Sequence, residues 1–477
     1  MPDNRRLPLF LTLVAAQLVV MLDSSILNVA LPSIAEDLHL SATGTAWVLN
    51  GYYLSFGGLL LLSGRAADVL GRRRMFLAGA ALLATGSVIG ALAPDTPVLI
   101  AARLLQGAGA AVLSPAAMSV ILARFTGAGR TRTMSWWGAA STIGGALGVT
   151  VGGVLTAGFG WHSVMIVTAV AALAVLVAGW RMLPTEERST RRPFDAAGAC
   201  LATAAAVAVV YAVLTAPQTG FSVEVAVSGG VAVAASVGFV MVERRAADPI
   251  LPPSALRERR VAGGIVVNML GGAARIACFA IVALLIQQVL QYEPAEAGLA
   301  MLPTSLTGVL VSTLLLPRVL KRFGPERVAA AGLAMLTVAH VLFAAIGPGA
   351  PYTWRVLPVL SLAAAGVAFS FTPTTLVIAD GMAARNTGVG SGLASATAQI
   401  GSAIGIAVFG AVDAAARAAA LGAGGTNLAA AHAGLGAAHL AAAASAGAAL
   451  LVAALSFPAL RQVGNPRVGH TPGVLAR

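Results

Sequence analysis

PLFLTLVAAQLVVMLDSSILNVALPS, residues 8–33, decides the fold. The run is long and apolar enough to cross roughly 30 Å of hydrocarbon as a helix. Inside it sits one carboxylate, Asp23. A charge at that depth costs about 3 kcal/mol or more to insert, so a chain that keeps one there has a use for it. Arg5 and Arg6 precede the run as in a secretory signal, but the run is too long and leads into further spans, so it is expected to be retained.

The rest of the chain repeats the pattern. Of 477 residues, 58% are hydrophobic and only 10% charged, with a mean hydropathy of +0.87, far outside the range of a soluble domain. Apolar runs cover residues 8–33, 45–64, 75–93, 97–122, 134–157, 162–182, 195–215, 222–242, 262–291, 298–317, 327–346, 356–378, 387–411 and 437–459, about fourteen spans in all. They lack the period-2 alternation of a transmembrane barrel. The expected fold is therefore an all-α membrane protein.

The net charge of +12 is set by topology. Basic residues gather in alternate loops, such as Arg72 to Arg74, Arg124 to Arg132, Arg188 to Arg192, Arg257 to Arg260 and Arg318 to Arg327. Outside the spans, only Arg355 and Arg417 fall on the opposite side. The positive-inside rule then predicts both termini in the cytoplasm of a multi-pass protein in the cytoplasmic membrane, with the basic loops against anionic lipid and no nucleic-acid partner. Cys200 and Cys278 have no ligand spacing, so neither a disulfide framework nor a metal is expected. His340, inside a span, fits a helix-to-helix hydrogen bond better than a proton relay.

An internal repeat is visible. Gly64-Arg65-Ala66-Ala67-Asp68-Val69-Leu70-Gly71-Arg72-Arg73-Arg74 matches Pro317-Arg318-Val319-Leu320-Lys321-Arg322-Phe323-Gly324-Pro325-Glu326-Arg327, each copy following the second span of a six-span block in an expected loop. The spacing exceeds the roughly 180 to 200 residues that six spans need, and the surplus fits the spans at 195–215 and 222–242. The expected plan is six, two and six: a bundle at 1–185, two linker spans with their loops at 186–260, and a second bundle with a short tail at 261–477. The Ala/Gly-rich segment 412–436 is expected to be an outer loop, flexible or weakly helical.

These motifs together resemble the fourteen-helix drug:proton antiporter family of the major facilitator superfamily. Leu22-Asp23 through Leu31-Pro32 is similar to its first-helix signature, and Gly64 to Arg74 to its loop motif, with Val69 where a basic residue is usual. Arg103-Leu104-Leu105-Gln106-Gly107 in the fourth span resembles its proton-transfer motif. Gly148-Val149-Thr150-Val151-Gly152-Gly153 resembles its antiporter signature, with Val149 in place of the usual proline. Further matches are Glu243-Arg244-Arg245 before Asp248-Pro249, and Ser391-Gly392 with Gln399-Ile400-Gly401. The resemblance implies a monomeric transporter, not an enzyme, needing no cofactor because a proton gradient drives it. It implies proton coupling at Asp23 and Arg103, and a cytoplasmic gate of Gly64, Asp68, Gly71, Arg72 and Arg73.

Residue chemistry adds to this. Gly144, Gly148 and Gly152 share one face of the fifth span, with Gly153 beside them, and Gly401 and Gly405 share one of the thirteenth. Such faces serve tight static packing, or sliding in a transporter that rocks. At 1.5 Å per residue, Asp23 lies about 22 Å from the inner end of its span, Arg275 about 20 Å and Arg103 roughly 21 Å, so all three are expected at one level. Burial favours a neutral carboxyl and a nearby guanidinium favours the ion. Arg103, Arg275 and substrate are therefore expected to compete for Asp23, the alternative being a permanent bridge between Asp23 and Arg103. Asn28, Gln106, Arg275 and Gln287 are the polar candidates for the substrate cavity. Two Arg to one Asp suits a neutral or weakly acidic compound better than a dication. The competing expectation, an uncoupled facilitator or an importer, predicts flux indifferent to the pH gradient or inwardly directed.

Overall fold

The computed structural model describes residues 6–40, 42–184, 196–219, 222–246, 257–382 and 387–461. Among these there is no strand, and ten helical stretches are long and apolar enough to cross a membrane. The first six helices are α1 (Arg6–Asp37), α2 (Ala42–Leu70), α3 (Arg72–Ala91), α4 (Thr96–Arg124), α5 (Gly127–Phe159) and α6 (His162–Met182). Then come α7 (Ala196–Thr219) and α8 (Val223–Glu243), which pack on each other. The last group is α9 (Arg259–Leu284), α10 (Pro294–Leu310), α11 (Leu316–Ala344), α12 (Leu357–Asp380), α13 (Thr387–Gly422) and α14 (Asn427–Ser456), followed by a short α15 (Pro458–Arg461). Single π-helical turns continue α9 over Leu285–Val289, join α10 to α11 over Val311–Leu315 and precede α12 over Tyr352–Val356.

The repeat has a backbone counterpart. Gly71 ends α2 and starts α3 at φ 99°, and Gly324 breaks α11 at φ 77°. A side chain at either position would be strained by its own Cβ. The repeat motif is thus not the loop expected from sequence. Gly64 to Leu70 forms the last turns of α2, a single glycine makes the corner, and Arg72 already belongs to α3. Likewise the segment 412–436 is not a loop. α13 runs to Gly422, and α14 starts at Asn427 behind Thr426, whose hydroxyl accepts from Ala429 N at 3.2 Å. Alanine has the highest helix propensity of any residue, and it carries both helices through a composition that reads as low-complexity.

Glycines set the closest helix contacts. A methyl at Gly144 would lie 2.6 Å from the Leu18 carbonyl oxygen, and one at Gly148 2.8 Å from that of Leu22, so α5 lies directly on α1. The repeat register carries Gly148 and Gly152 onto Gly401 and Gly405, which press on Met269 and Ala273 of α9 in the same way. His340 on α11 meets His439 on α14 at 3.1 Å (Nδ1 to Nδ1), and its Nε2 reaches the Ala274 carbonyl of α9 at 2.9 Å, the helix-to-helix role expected of it.

The two six-helix groups meet at their arginine-rich ends. Gly392 of α13 abuts Gly64 of α2, Gly138 of α5 abuts Thr372 of α12, and Arg130 Nη2 binds Asp380 Oδ1 at 2.6 Å.

Candidate proton site and gate

Asp23 is fully buried just past the middle of α1, and α4 brings its partners. Arg103 and Gln106 are one turn apart on α4, so both side chains reach the same neighbour. Gln106 Nε2 donates to Asp23 Oδ1 at 3.0 Å and to Ser87 Oγ of α3 at 2.8 Å, while its Oε1 accepts from Arg103 Nη1 at 2.9 Å. The Arg103 Nη1 to Asp23 Oδ2 separation is 3.6 Å, and that oxygen makes no hydrogen bond among the described residues. Arg103 Nε donates to the Val48 carbonyl at 3.1 Å, and the guanidinium stands 4.5 Å from the Tyr52 ring centroid.

One carboxylate oxygen is therefore anchored, and the other faces a cation without being bonded to it. A proton added at Oδ2 would break no existing hydrogen bond. It would remove the charge that holds Arg103, leaving that guanidinium on Gln106, a carbonyl and a ring. Gln106, expected among cavity residues, is fully buried inside this network. Ser87, Tyr52 and the Val48 carbonyl were not read from sequence; Gln106's place as the bridge is legible in its i+3 spacing from Arg103.

Arg275 is not brought to Asp23. Its guanidinium binds Asn268 and Ser370 and lies 5.5 Å from the Phe371 ring centroid. Level along the membrane is countable from sequence, but rotation about the helix axis is not. Gln287 is half-buried in the π turn after α9. The side chain of Asn28 lies outside the described residues, as do those of Val149 and Thr150 and the whole of Arg188 to Arg192 and Asp248 to Pro252.

At the arginine-rich end, Asp68 and Arg72 stand 4.0 Å apart across the Gly71 corner. Arg72 Nε donates to Ser119 Oγ of α4 at 2.8 Å, and Arg73 Nη2 to the Trp180 carbonyl of α6 at 2.8 Å. These contacts stay within one six-helix group. Arg130 to Asp380 is an ion pair that crosses between groups; it is not evident from sequence, although Asp380 is the lone acid between Glu326 and Asp413.

The family model described as Major Facilitator Superfamily matches residues 13–406. The chain belongs to that superfamily. This facilitator is 35% identical over 437 residues to the puromycin resistance protein pur8 of Streptomyces alboniger, covering 90% of this chain and 86% of the relative. It is 34% identical to the cephamycin export protein CmcT of Amycolatopsis lactamdurans, covering 82% of each. The crystal structure of the human organic anion transporter MFSD10 superposes with a TM-score of 0.67 at 16% identity, covering 95% of this chain and 100% of that one. That of the Escherichia coli fucose:proton symporter FucP does so at 0.64 and 13%, covering 95% and 99%. The architecture is the major facilitator fold, and the chain is a multi-pass membrane transporter with a small-molecule substrate, not an enzyme.

Proposed function

We propose that this facilitator is a proton-coupled antiporter that exports a drug, antibiotic or secondary metabolite, neutral or weakly acidic, across the cytoplasmic membrane by alternating access. Its fourteen spans form bundles at 1–185 and 261–477 flanking two linker spans at 186–260, with both termini cytoplasmic, and it works as a monomer without a cofactor. Asp23 carries the proposal: an intramembrane carboxylate with one oxygen anchored and the other open to a proton beside Arg103. The names of relatives such as pur8 and CmcT support the direction and the cargo.

Coupling then works by exchange of partners. Protonation of Asp23 from outside loosens α1 from Arg103, and α5, whose Gly144 and Gly148 lie on α1 beside Asp23, shifts with it. Loss of the proton to the cytoplasm restores the pair. One proton moved inward carries roughly 2.3 kcal/mol per 100 mV and about 1.4 per pH unit, enough for a solute gradient of two to three decades.

Proteoliposomes under an imposed pH gradient test this with a panel of neutral, anionic and cationic compounds. Wild-type flux is expected to follow the gradient and Asp23→Asn flux to lose that dependence at equal protein. Intact pH dependence in Asp23→Asn would sink the coupling role, and robust export of dications alone would sink the assignment of cargo.

A further inference from the structure

Three acids of α9 to α14 each have a cation nearby. Glu326 is paired with Arg260 at 2.7 Å and accepts from Ala459 N, Asp380 is paired with Arg130, and Asp413 with Arg417 at 2.9 Å. Arg275 pairs with no acid among the described residues. It is 6% exposed in the middle of α9, and the sequence from Arg259 to Tyr292 contains no acid. Its contacts are all neutral: the Asn268 carbonyl at 3.2 Å, Asn268 Oδ1 at 2.9 Å, Ser370 Oγ at 3.5 Å and the Phe371 ring. In the other bundle the comparable cation, Arg103, has Asp23.

A buried charge answered only by neutral groups is costly. The hydrogen bonds leave capacity as well. Three are made by a group with five N–H donors, and the one from Nη1 sits at the limit of a hydrogen bond. One turn further along the same two helices lies a small cavity, with room for about one water molecule. Cys278 and Phe279 of α9, Val367 and Ala364 of α12, and Thr304 and Gly308 of α10 line it. The Thr304 hydroxyl, 2% exposed, has no hydrogen-bond partner among the described residues.

We propose that Arg275, with Ser370 beside it, is a carboxylate site, taking the acid group of an amphipathic organic anion whose apolar body enters the cavity and meets the Thr304 hydroxyl. The Nε–H and the second Nη1–H of the guanidinium are left to donate to a carboxylate, and the walls beyond are apolar apart from one thiol and one hydroxyl. The inference rests on the transport reading and narrows its cargo from weakly acidic to acidic. Admitting such a body requires α9, α10 and α12, which wall the cavity, to move apart.

The test uses the full chain in nanodiscs and two probes of one shape, 1-naphthoic acid and 1-naphthamide. Wild type is expected to bind the acid about tenfold more tightly than the amide or better. Arg275→Gln should reduce that ratio to near one, Arg275→Lys should keep part of it, and Thr304→Val should weaken both probes alike. Should Arg275→Gln not yield monodisperse protein, Ser370→Ala is expected to lower the ratio about threefold. No acid preference in wild type, or a preference untouched by Arg275→Gln or Ser370→Ala, overturns the site. Competitive loss of the acid to millimolar chloride also overturns it, in favour of an inorganic anion site. Gradient-driven flux in proteoliposomes separates the two readings: acid preference without proton coupling removes the antiporter and keeps the site, and coupling without acid preference does the reverse.

Discussion

Arg130 and Asp380 close the arginine-rich end, and neutralising either side chain is expected to open it. The pair is short, 2.6 Å, yet its side chains are 26% and 37% exposed. Water therefore screens it, and its worth is that of a surface bridge, about 0.2–1 kcal/mol, at the upper end because the bond is charge-assisted. That is a shift of up to about fivefold between the closed and open populations of this end. Spin labels on the exposed turns at the starts of α5 and the ends of α12, read by double electron–electron resonance, measure it directly. Asp380→Asn or Arg130→Gln should move weight toward the longer distance. The charge-swapped double variant, Arg130→Asp with Asp380→Arg, should restore the short one. Raising salt to about 1 M should shrink the difference between wild type and single variants, since the Debye length there is about 3 Å. Unchanged distance distributions in both single variants at low salt would refute the latch, as would a swap that behaves like the sum of its parts.

The glycine contacts give a paired expectation. Gly144→Val meets the Leu18 carbonyl and the Met21 side chain and should lower thermal stability by about 1–3 kcal/mol, whereas Gly145→Ala, which has nothing within 4 Å, should cost nothing and raise stability by up to about 1 kcal/mol. Gly71→Ala and Gly324→Ala should each destabilise by about 1–2 kcal/mol, because both corners need positive φ; denaturation scans in detergent that show no loss for either would remove the strain argument.

Much of the fold is legible because membrane insertion leaves few options: backbone polar groups must pair within each helix, and runs of the right length announce themselves. What escapes is where a helix stops. Nothing in hydropathy distinguishes the turns at Gly64 to Leu70 from a loop, and the alanines of 412–436 are too weakly hydrophobic to be counted as span. The site divides along the same line. Depth counting puts Asp23 and Arg103 together, and the structure pairs them at 3.6 Å. It also puts Arg275 at that level, but its azimuth turns it toward Asn268 and Ser370. Arg130 and Asp380 are 250 residues apart, with no local pattern linking them.

The repeat explains why the two bundles are not interchangeable. The register that superposes Gly71 on Gly324 carries Ser87 onto His340, and Leu22, beside Asp23, onto Arg275. Equivalent places therefore hold a serine in the first bundle and a histidine in the second, and the cation Arg275 stands one residue out of register with the acid Asp23. The clamps at the arginine-rich end are reversed as well. Arg73 donates to the Trp180 carbonyl of the sixth helix, while Glu326 accepts from the Ala459 amide beyond the last. Neighbouring rather than matched positions thus carry the acid of one bundle and the cation of the other, on the first and the ninth helix. On the proposed mechanism, protonation acts on α1 through Asp23 while cargo engages α9 through Arg275, and the shared glycine faces on α5 and α13 carry each event to the interface. A proton and an anionic substrate need then never contend for one residue. Coupling would come from the rocking of the bundles, and substituting Arg275 should change which compounds move without abolishing the dependence of flux on pH.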